Sequence, residues 1–219
     1  TPSVAENTTD VVTLETTDAD TNPTPTVTYS ITGGPDAVSF EIVDGVLRFV
    51  TAPDFESDAI KLLEGVEVTA DDGDNQTTQT ITVTVTDVNE KPTITSTTTT
   101  FSAAENQTVI PGATITAIDV DAGDTLTFSV LSDVLTIDPD TGVLSFKAGE
   151  APDFETTTEA ITATVTVTDA DGLFDTEEVT VTVTDVNDNA PVFTDGATLA
   201  VNFEENSTDP VTTLAATDL

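Results

Sequence analysis

The sequence predicts an all-β protein made of tandem antiparallel Greek-key (Ig-like) β-sandwiches, each of about 100 residues. Three observations predict it. Apolar residues alternate with threonine at a period of two. Turn dipeptides containing glycine punctuate the alternating runs. A set of short motifs returns in the same order about 100 residues later.

Taken along the chain, Asp44-Gly45 reads as a hairpin turn. Val66–Ala70 and the run ITVTVT at Ile81–Thr86 read as strands, with β-branched threonine tolerating the solvated side of the pleat. Thr97–Thr100 is low in complexity and reads as an edge strand or linker, or as an O-glycosylated stalk. Thr141-Gly142 is a second turn. Ile161–Thr168 and Val179–Thr184 are strictly alternating strands joined across Asp171-Gly172. No stretch holds helical spacing over three turns.

The repeat is the most informative feature. Glu-Asn occurs at Glu6-Asn7, Glu105-Asn106 and Glu205-Asn206, in steps of 99 and 100 residues. Pro-Asp-Phe-Glu stands at Pro53–Glu56 and Pro152–Glu155, and Thr-Asp-Val-Asn at Thr86–Asn89 and Thr184–Asn187. Gly-Val-Leu-x-Phe recurs at Gly45–Phe49 and Gly142–Phe146, and Asp-x-Asp at Asp18/Asp20 and Asp119/Asp121. The expected units are 1–90 and 91–190, with 191–219 opening a third. Twenty-nine residues do not close a core alone. Thr1 reads as an internal position of a longer chain.

Composition narrows the chemistry. The chain has 219 residues, 41 Asp or Glu against 4 Lys or Arg, and a formal net charge of −37. Such a chain has little with which to neutralise phosphates, so nucleic acid is excluded as a partner, and the charge opposes docking on an anionic membrane. No apolar run approaches a membrane span, and no stretch of the sequence reads as a signal peptide. Hydrophobic content of 37% favours several small cores over one large one. Without Cys or His there is no disulfide, thiolate site or His-based general base. Any bound metal must take carboxylate, amide and carbonyl oxygens, the ligands of hard cations such as calcium or magnesium.

The acids fall where strands end. Asp54 and Glu56 flank Phe55, and Asp72 and Asp169 follow predicted strands. Asp-Val-Asn-Asp-Asn at Asp185–Asn189 closes the last strand of the second unit and passes into Ala-Pro. Strand ends of a sandwich gather at its poles, where clustered acids need a counter-charge. Together, Glu-Asn, Asp-x-Asp, Pro-Asp-Phe-Glu, Ala-x-Asp-Gly and Asp-x-Asn-Asp-Asn-Ala-Pro-x-Phe, in this order and spacing, resemble cadherin repeats. The acidity, the threonine and the lack of Cys bring the chain nearer to the cadherin-like repeats of large microbial surface proteins or adhesins than to animal cadherins.

The resemblance implies calcium at each junction between consecutive repeats. For the first junction it implies Glu6, Asp54, Glu56, Asp87, the Val88 carbonyl, Asn89, Glu90 and the Lys91 carbonyl, with Asp119, Asp121 and Asp169 from the second unit. For the second it implies Glu105, Asp153, Glu155, Asp185, the Val186 carbonyl, Asn187, Asp188, the Asn189 carbonyl and Asp218. Asp18, Asp20 and Asp72 would face a preceding unit. Glu90 departs from the pattern, which has Asp there, and shifts the geometry of the first junction. Asp124, Asp138 and Asp140 lie outside the implied set and read as solvated.

The family positions hold 18 of the 41 acids, eight in each full unit plus Glu205 and Asp218. The other 23 fit a solvated, self-repelling surface of the kind a marine or halophilic setting favours. Asn7, Asn75, Asn106 and Asn206 stand in glycosylation sequons, but three of them are the Asn of Glu-Asn, where a structural need explains them equally well.

The resemblance implies a non-enzymatic, extracellular rod segment stiffened by calcium, whose partners are neighbouring repeats of its own chain or identical chains in a filament. A module that itself grips an identical repeat or a glycan is the alternative, although one Tyr and no Trp leave few aromatic platforms. A glycosidase with paired carboxylates is the third reading, opposed by the recurrence of the acids in every unit.

Overall fold

The computed structural model describes residues 1–19, 26–56, 62–157, 159–194, 198–202, 205, 208, 210 and 212–217. The chain divides into two compact units: Thr1–Glu90 with Val120–Ala122, and Lys91–Asp119 with Gly123–Leu219. No helix among the described residues is long and apolar enough to cross a membrane.

The first unit contains β1 (Ser3–Ala5), β2 (Asp10–Thr13), β3 (Thr28–Gly33), β4 (Phe40–Val43), β5 (Val46–Phe49), β6 (Leu62–Asp71) and β7 (Gln76–Thr86). They form a four-stranded sheet in the order β1-β7-β6-β3 and a three-stranded sheet in the order β2-β5-β4. The period of two explains the packing: Val83 and Val85 of β7 are buried, while Thr82, Thr84 and Thr86, which alternate with them, are half-buried or exposed. They join Val4, Phe40, Leu47, Phe49, Leu63, Val66 and Val68, drawn from both sheets, in one core. Phe40 and Phe49 stack there with ring centroids 4.7 Å apart. On the outer face Thr69 lies between Thr32 and Thr78, each hydroxyl 2.8 Å away.

The second unit repeats this plan with β9 (Thr100–Ala104), β10 (Val109–Thr114), β12 (Thr127–Leu131), β13 (Leu135–Ile137), β14 (Val143–Phe146), β15 (Ile161–Thr168) and β16 (Phe174–Thr184). The sheets are β12-β15-β16-β9 and β10-β14-β13, and the core centres on Leu135, Leu144, Val165, Val167, Val179 and Val181. It also contains a short pair, β8 (Thr93–Ile94) with β11 (Ala117–Ile118). Thr100, within the low-complexity run, opens an edge strand. Beyond it, β17 (Val192–Phe193) pairs with β18 (Ala216–Thr217), and every described residue from 191 onward is exposed.

The sandwiches are antiparallel except at one edge of each. There β1 runs parallel to β7 and β9 parallel to β16. Alternation of side chains is the same for either direction, so the sequence pattern does not carry this feature. The turns follow their chemistry. Asp44 and Gly45 both have positive φ, 51° and 77°, which is the primed two-residue hairpin between β4 and β5. At Gly142 a Cβ would stand 2.1 Å from the Ile115 carbonyl oxygen, so only glycine fits.

Candidate metal centre

The Glu-Asn pairs at Glu6 and Glu105 follow β1 and β9, the parallel edge strands of the two four-stranded sheets, and Asn206 of the third pair lies outside the described residues. Glu6 N–H donates to the Thr86 carbonyl at 3.0 Å, extending the parallel ladder by one residue. Asn7 then adopts the left-handed conformation at φ 61°, which Asn tolerates better than most residues, and its N–H donates to the Pro53 carbonyl at 2.9 Å. The second unit reproduces both steps. Glu105 N–H meets Thr184 at 3.1 Å, and Asn106, at φ 57°, meets Pro152 at 2.8 Å.

The turn carries a buried carboxylate into the strand ends. Glu6 is 2% exposed and Glu105 1%. Glu6 Oε2 accepts the Phe55 N–H at 2.7 Å, and its Oε1 accepts the Val88 N–H at 3.0 Å. Glu105 accepts from Phe154 at 2.7 Å and from Val186 at 2.8 Å. In Pro-Asp-Phe-Glu the first acid closes a local turn: Glu56 N–H donates to Asp54 Oδ1, and Glu155 N–H to Asp153 Oδ1, both at 3.1 Å. One buried Glu therefore stitches the Pro-Asp-Phe-Glu loop to the linker within each unit.

Around this stitch the acids converge. In the first unit Glu6, Glu56 and Asp87 offer carboxylate oxygens within 4.8 Å of one another, and so do Glu56, Glu90 and Asp121. Asp121 belongs by its contacts to this unit, and its Oδ2 accepts the Glu90 N–H at 2.8 Å. In the second unit Glu105, Asp153 and Glu155 converge in the same way. Burial, reinforced by the charges of Glu6, Asp87 and Asp121, raises the Glu56 carboxyl above its ordinary value. Burial likewise raises Glu90, with Glu6, Asp121 and Glu56 adding to it and the Asn7 amide opposing. At Glu155 a backbone hydrogen bond pulls downward, but burial, Asp153 and Glu105 leave it raised.

The remaining expected residues divide into several kinds. Val88 enters through its N–H. Asn89 Nδ2 donates to the Glu90 carbonyl at 3.0 Å. Lys91 belongs to the second unit, where its ammonium pairs with Asp175 at 3.2 Å. Asp169 is buried, and its Oδ1 accepts the N–H groups of Asp171, Gly172 and Leu173 at 2.6–2.9 Å, shaping the β15–β16 turn. Asp72 shapes the β6–β7 turn similarly, and the Asn75 and Asp74 N–H groups hold it below its ordinary value. Asp18 lies within hydrogen-bond reach of Asp72. Asp185, Val186, Asn187 and Asp188 are exposed and Asn189 is half-buried. Asp20 and Asp218 lie outside the described residues.

One expectation needs correction. Asp124 is half-buried, not solvated, and presents an oxygen within 4.8 Å of an Asp119 oxygen. The fold brings them together across the Asp119–Asp124 loop, and no motif marked that approach. Asp138 and Asp140 are exposed, as expected, and Asp138 Oδ1 organises its own turn through the Asp140 and Thr141 N–H groups.

The donor set fits a hard cation. Every charged donor in the converging groups is a carboxylate. Glu90 Oε2 is buried without a hydrogen-bond partner, a position a cation would satisfy. The fold is thus a tandem β-sandwich whose strand ends gather carboxylates of the kind a hard cation takes.

No family model and no curated protein matches the chain. Among solved structures, mouse cadherin-23 EC22-24 aligns with a TM-score of 0.64 at 22% identity, covering 99% of this chain and 74% of that one. Extracellular cadherin domains 3-6 of protocadherin gamma B2 align at 0.62 with 22% identity, over 99% and 53% of the two chains. Drosophila N-cadherin EC1-4 aligns at 0.53 with 23% identity, over 99% and 56%. The chain thus spans about half the length of the last two. These likenesses establish its fold as that of cadherin extracellular repeats.

Proposed function

We propose that the chain is a segment of an extracellular or cell-surface rod in which calcium, bound at the junctions between consecutive repeats, stiffens the array. On this reading 1–90 and 91–190 are successive repeats and 191–219 opens a third. The carrying observation is the convergence of acids on Glu6 and again on Glu105, with the same two backbone hydrogen bonds in each unit. Like charges so gathered repel one another without a counter-ion.

Glu6, Glu56, Asp87, Glu90 and Asp121 would hold the ion at the first linker, and Glu105, Asp153 and Glu155 at the second. Bound there, calcium supplies the positive charge that offsets this repulsion. The residues themselves orient the linker: Glu6 and Glu105 fix its first peptide N–H, and the Pro that follows limits the chain beyond it. Extracellular calcium modules work with dissociation constants of roughly 10⁻⁴–10⁻³ M, so sites with few buried ligands suffice. A rod explains why equivalent acids appear in both units, which a single catalytic pair does not. Its partners are neighbouring repeats and, in a filament, identical chains. A microbial surface setting is supported by the acid excess and the threonine content.

Small-angle X-ray scattering with and without calcium, at fixed ionic strength and with magnesium as control, tests this reading. Calcium alone should lengthen and narrow the particle, and Asp87→Ala should remove the change. A profile identical in chelator and calcium defeats the proposal.

A further inference from the structure

Asn7 and Asn106 do not belong to the metal-ligand set, yet each makes a contact that the rod reading does not use. Asn7 Nδ2 donates to Glu90 Oε1 at 2.5 Å, across 83 positions of sequence. Asn106 Nδ2 donates to Asp188 Oδ2 at 2.6 Å, across 82. Both asparagines are fixed in the left-handed conformation, with their own N–H groups bound to Pro53 and Pro152. The partner of the amide is a carboxylate, which only accepts, so the NH₂ and not the carbonyl must face it.

We propose that Asn7 and Asn106 are positioning residues that hold the acid of the following linker against its own unit before any cation binds, and aim it for the cation. The aim rests on the calcium reading; the holding does not.

Two observations and one chemical argument carry the inference. The contact occurs twice, independently, although the linker acid differs: Glu90 in one unit and Asp188 in the other, one methylene apart. In the first unit the amide occupies Oε1 and leaves Oε2 buried and without a hydrogen bond, and Glu90 presents one of its oxygens to Glu56 and Asp121. Finally, an amide orients a carboxylate without cancelling its charge, as a lysine in that place would. Glu90 is therefore more than an imperfect substitute for Asp. Its longer side chain reaches Asn7 with one oxygen and leaves the other buried and open to a cation. At Asp188 the second oxygen instead accepts from Asn189 Nδ2 at 3.0 Å, a donor that the first linker replaces with Lys91. The same contacts bear on the sequons at these asparagines. A glycan on Nδ2 would remove a hydrogen from the group that grips the carboxylate, so the proposal assigns both amides as unmodified.

The test uses the whole chain with three variants. Asn7→Gly and Asn106→Gly keep the left-handed backbone accessible while removing the amide. Glu90→Gln keeps an oxygen for Asn7 but removes the charge. In chelator, ¹⁵N–{¹H} NOE values at Asn89 and Glu90 should fall in Asn7→Gly and those at Asn187 and Asp188 in Asn106→Gly, each leaving the other linker unchanged. Glu90→Gln should keep its linker ordered. In calcium calorimetry, Asn7→Gly should weaken the first site about 10-fold, the loss expected when a group orienting a metal ligand is removed.

Wild-type NOE values in both Gly variants overturn the proposal, whatever the calcium result. Unchanged calcium affinity in Asn7→Gly, in a chain that binds calcium, overturns the aiming role. If the wild-type chain binds no calcium, the rod reading fails on its own, and the chelator measurements still decide whether the asparagines hold their linkers.

Discussion

Glu6 and Glu105 make the same two hydrogen bonds, to Phe55 and Val88 in the first unit and to Phe154 and Val186 in the second, yet the acids around them differ. Glu6 gathers Glu56 and Asp87, whereas Glu105 gathers Asp153 and Glu155. The hydrogen bonds run to backbone N–H groups, whose positions follow from the strand ladder and the Pro-Asp-Phe-Glu turn. The convergence runs between side chains, which are free to differ. The comparison separates what a repeated motif preserves, the stitching of loop to linker, from what each copy adjusts, the oxygen set offered to a cation.

The largest expected effect breaks the shared part. Glu105→Ala and Glu6→Ala each remove an acceptor from two N–H groups and should destabilise the affected unit by about 3 kcal/mol, since hydrogen bonds to a charged partner contribute roughly 1.5–3 kcal/mol each. Urea unfolding in chelator measures it. Emission from Tyr29, the one tyrosine, reports the first unit, and hydrogen exchange at Val165 and Val167 reports the second. Losses equal within about 0.5 kcal/mol support identical stitching, a difference within the usual error of additivity. A loss confined to one unit breaks the comparison.

Acidity sharpens the part that differs. Glu56 and Glu90 in the first unit and Glu155 in the second have carboxyls raised above the ordinary 4.5. Burial leads at Glu56 and Glu90. At Glu155 it must first overcome a backbone hydrogen bond acting downward. A raised group binds its proton more tightly in the folded chain, so its contribution is fully present below the unfolded value and is lost as pH rises through the folded one. In chelator both units should therefore gain stability as pH falls from neutrality toward 4.5, and the first, with two such groups, should gain more. The lowered groups act oppositely. Hydrogen bonds from the Asn75 and Asp74 N–H groups hold Asp72 below 3.8; the Thr141 hydroxyl and N–H do so for Asp138, and the Ile94 N–H for Asp175. Their contributions are lost as pH falls below 3.8 through their folded values. Urea midpoints between pH 7 and pH 3 should rise and then fall. A monotonic loss from neutrality would show that the acid groups are not strained in the metal-free chain.

Much of this was legible in the residues. The alternation of Val83 and Val85 with threonine specifies which face is buried, and Asp44-Gly45 specifies a primed turn, because both follow from local chemistry. That Glu6, Glu56 and Asp87 belong to one set was implied by the resemblance to cadherin repeats, not by composition or spacing. Three features were not legible. The parallel edge β1–β7 leaves the side-chain period unchanged. Asp124 approaches Asp119 only through the path of a loop. The Asn7 amide finds Glu90 because a left-handed turn aims it, and the dipeptide Glu-Asn does not reveal the direction of that aim.

The smallest effect concerns the contact that holds β8 in the second unit. In the second unit β8 lies against β16, with Ile94 packed on the core and its N–H held by Asp175 Oδ2 at 3.1 Å. Asp175 also pairs with Lys91 at 3.2 Å, but the lysine is exposed and the pair is screened by salt. Lys91→Ala should therefore cost no more than about 0.5 kcal/mol, and nothing measurable at 1 M salt. Asp175→Ala should cost about 1–2 kcal/mol, because it leaves the half-buried Ile94 N–H without its acceptor. Hydrogen exchange at Ile94 separates the two. The amide should exchange faster in Asp175→Ala and as in wild type in Lys91→Ala. Equal acceleration in both would mean that the ion pair, and not the backbone hydrogen bond, holds β8 in place, and the second unit would then owe its covered edge to a surface charge that the linker sequence Glu90-Lys91 happens to supply.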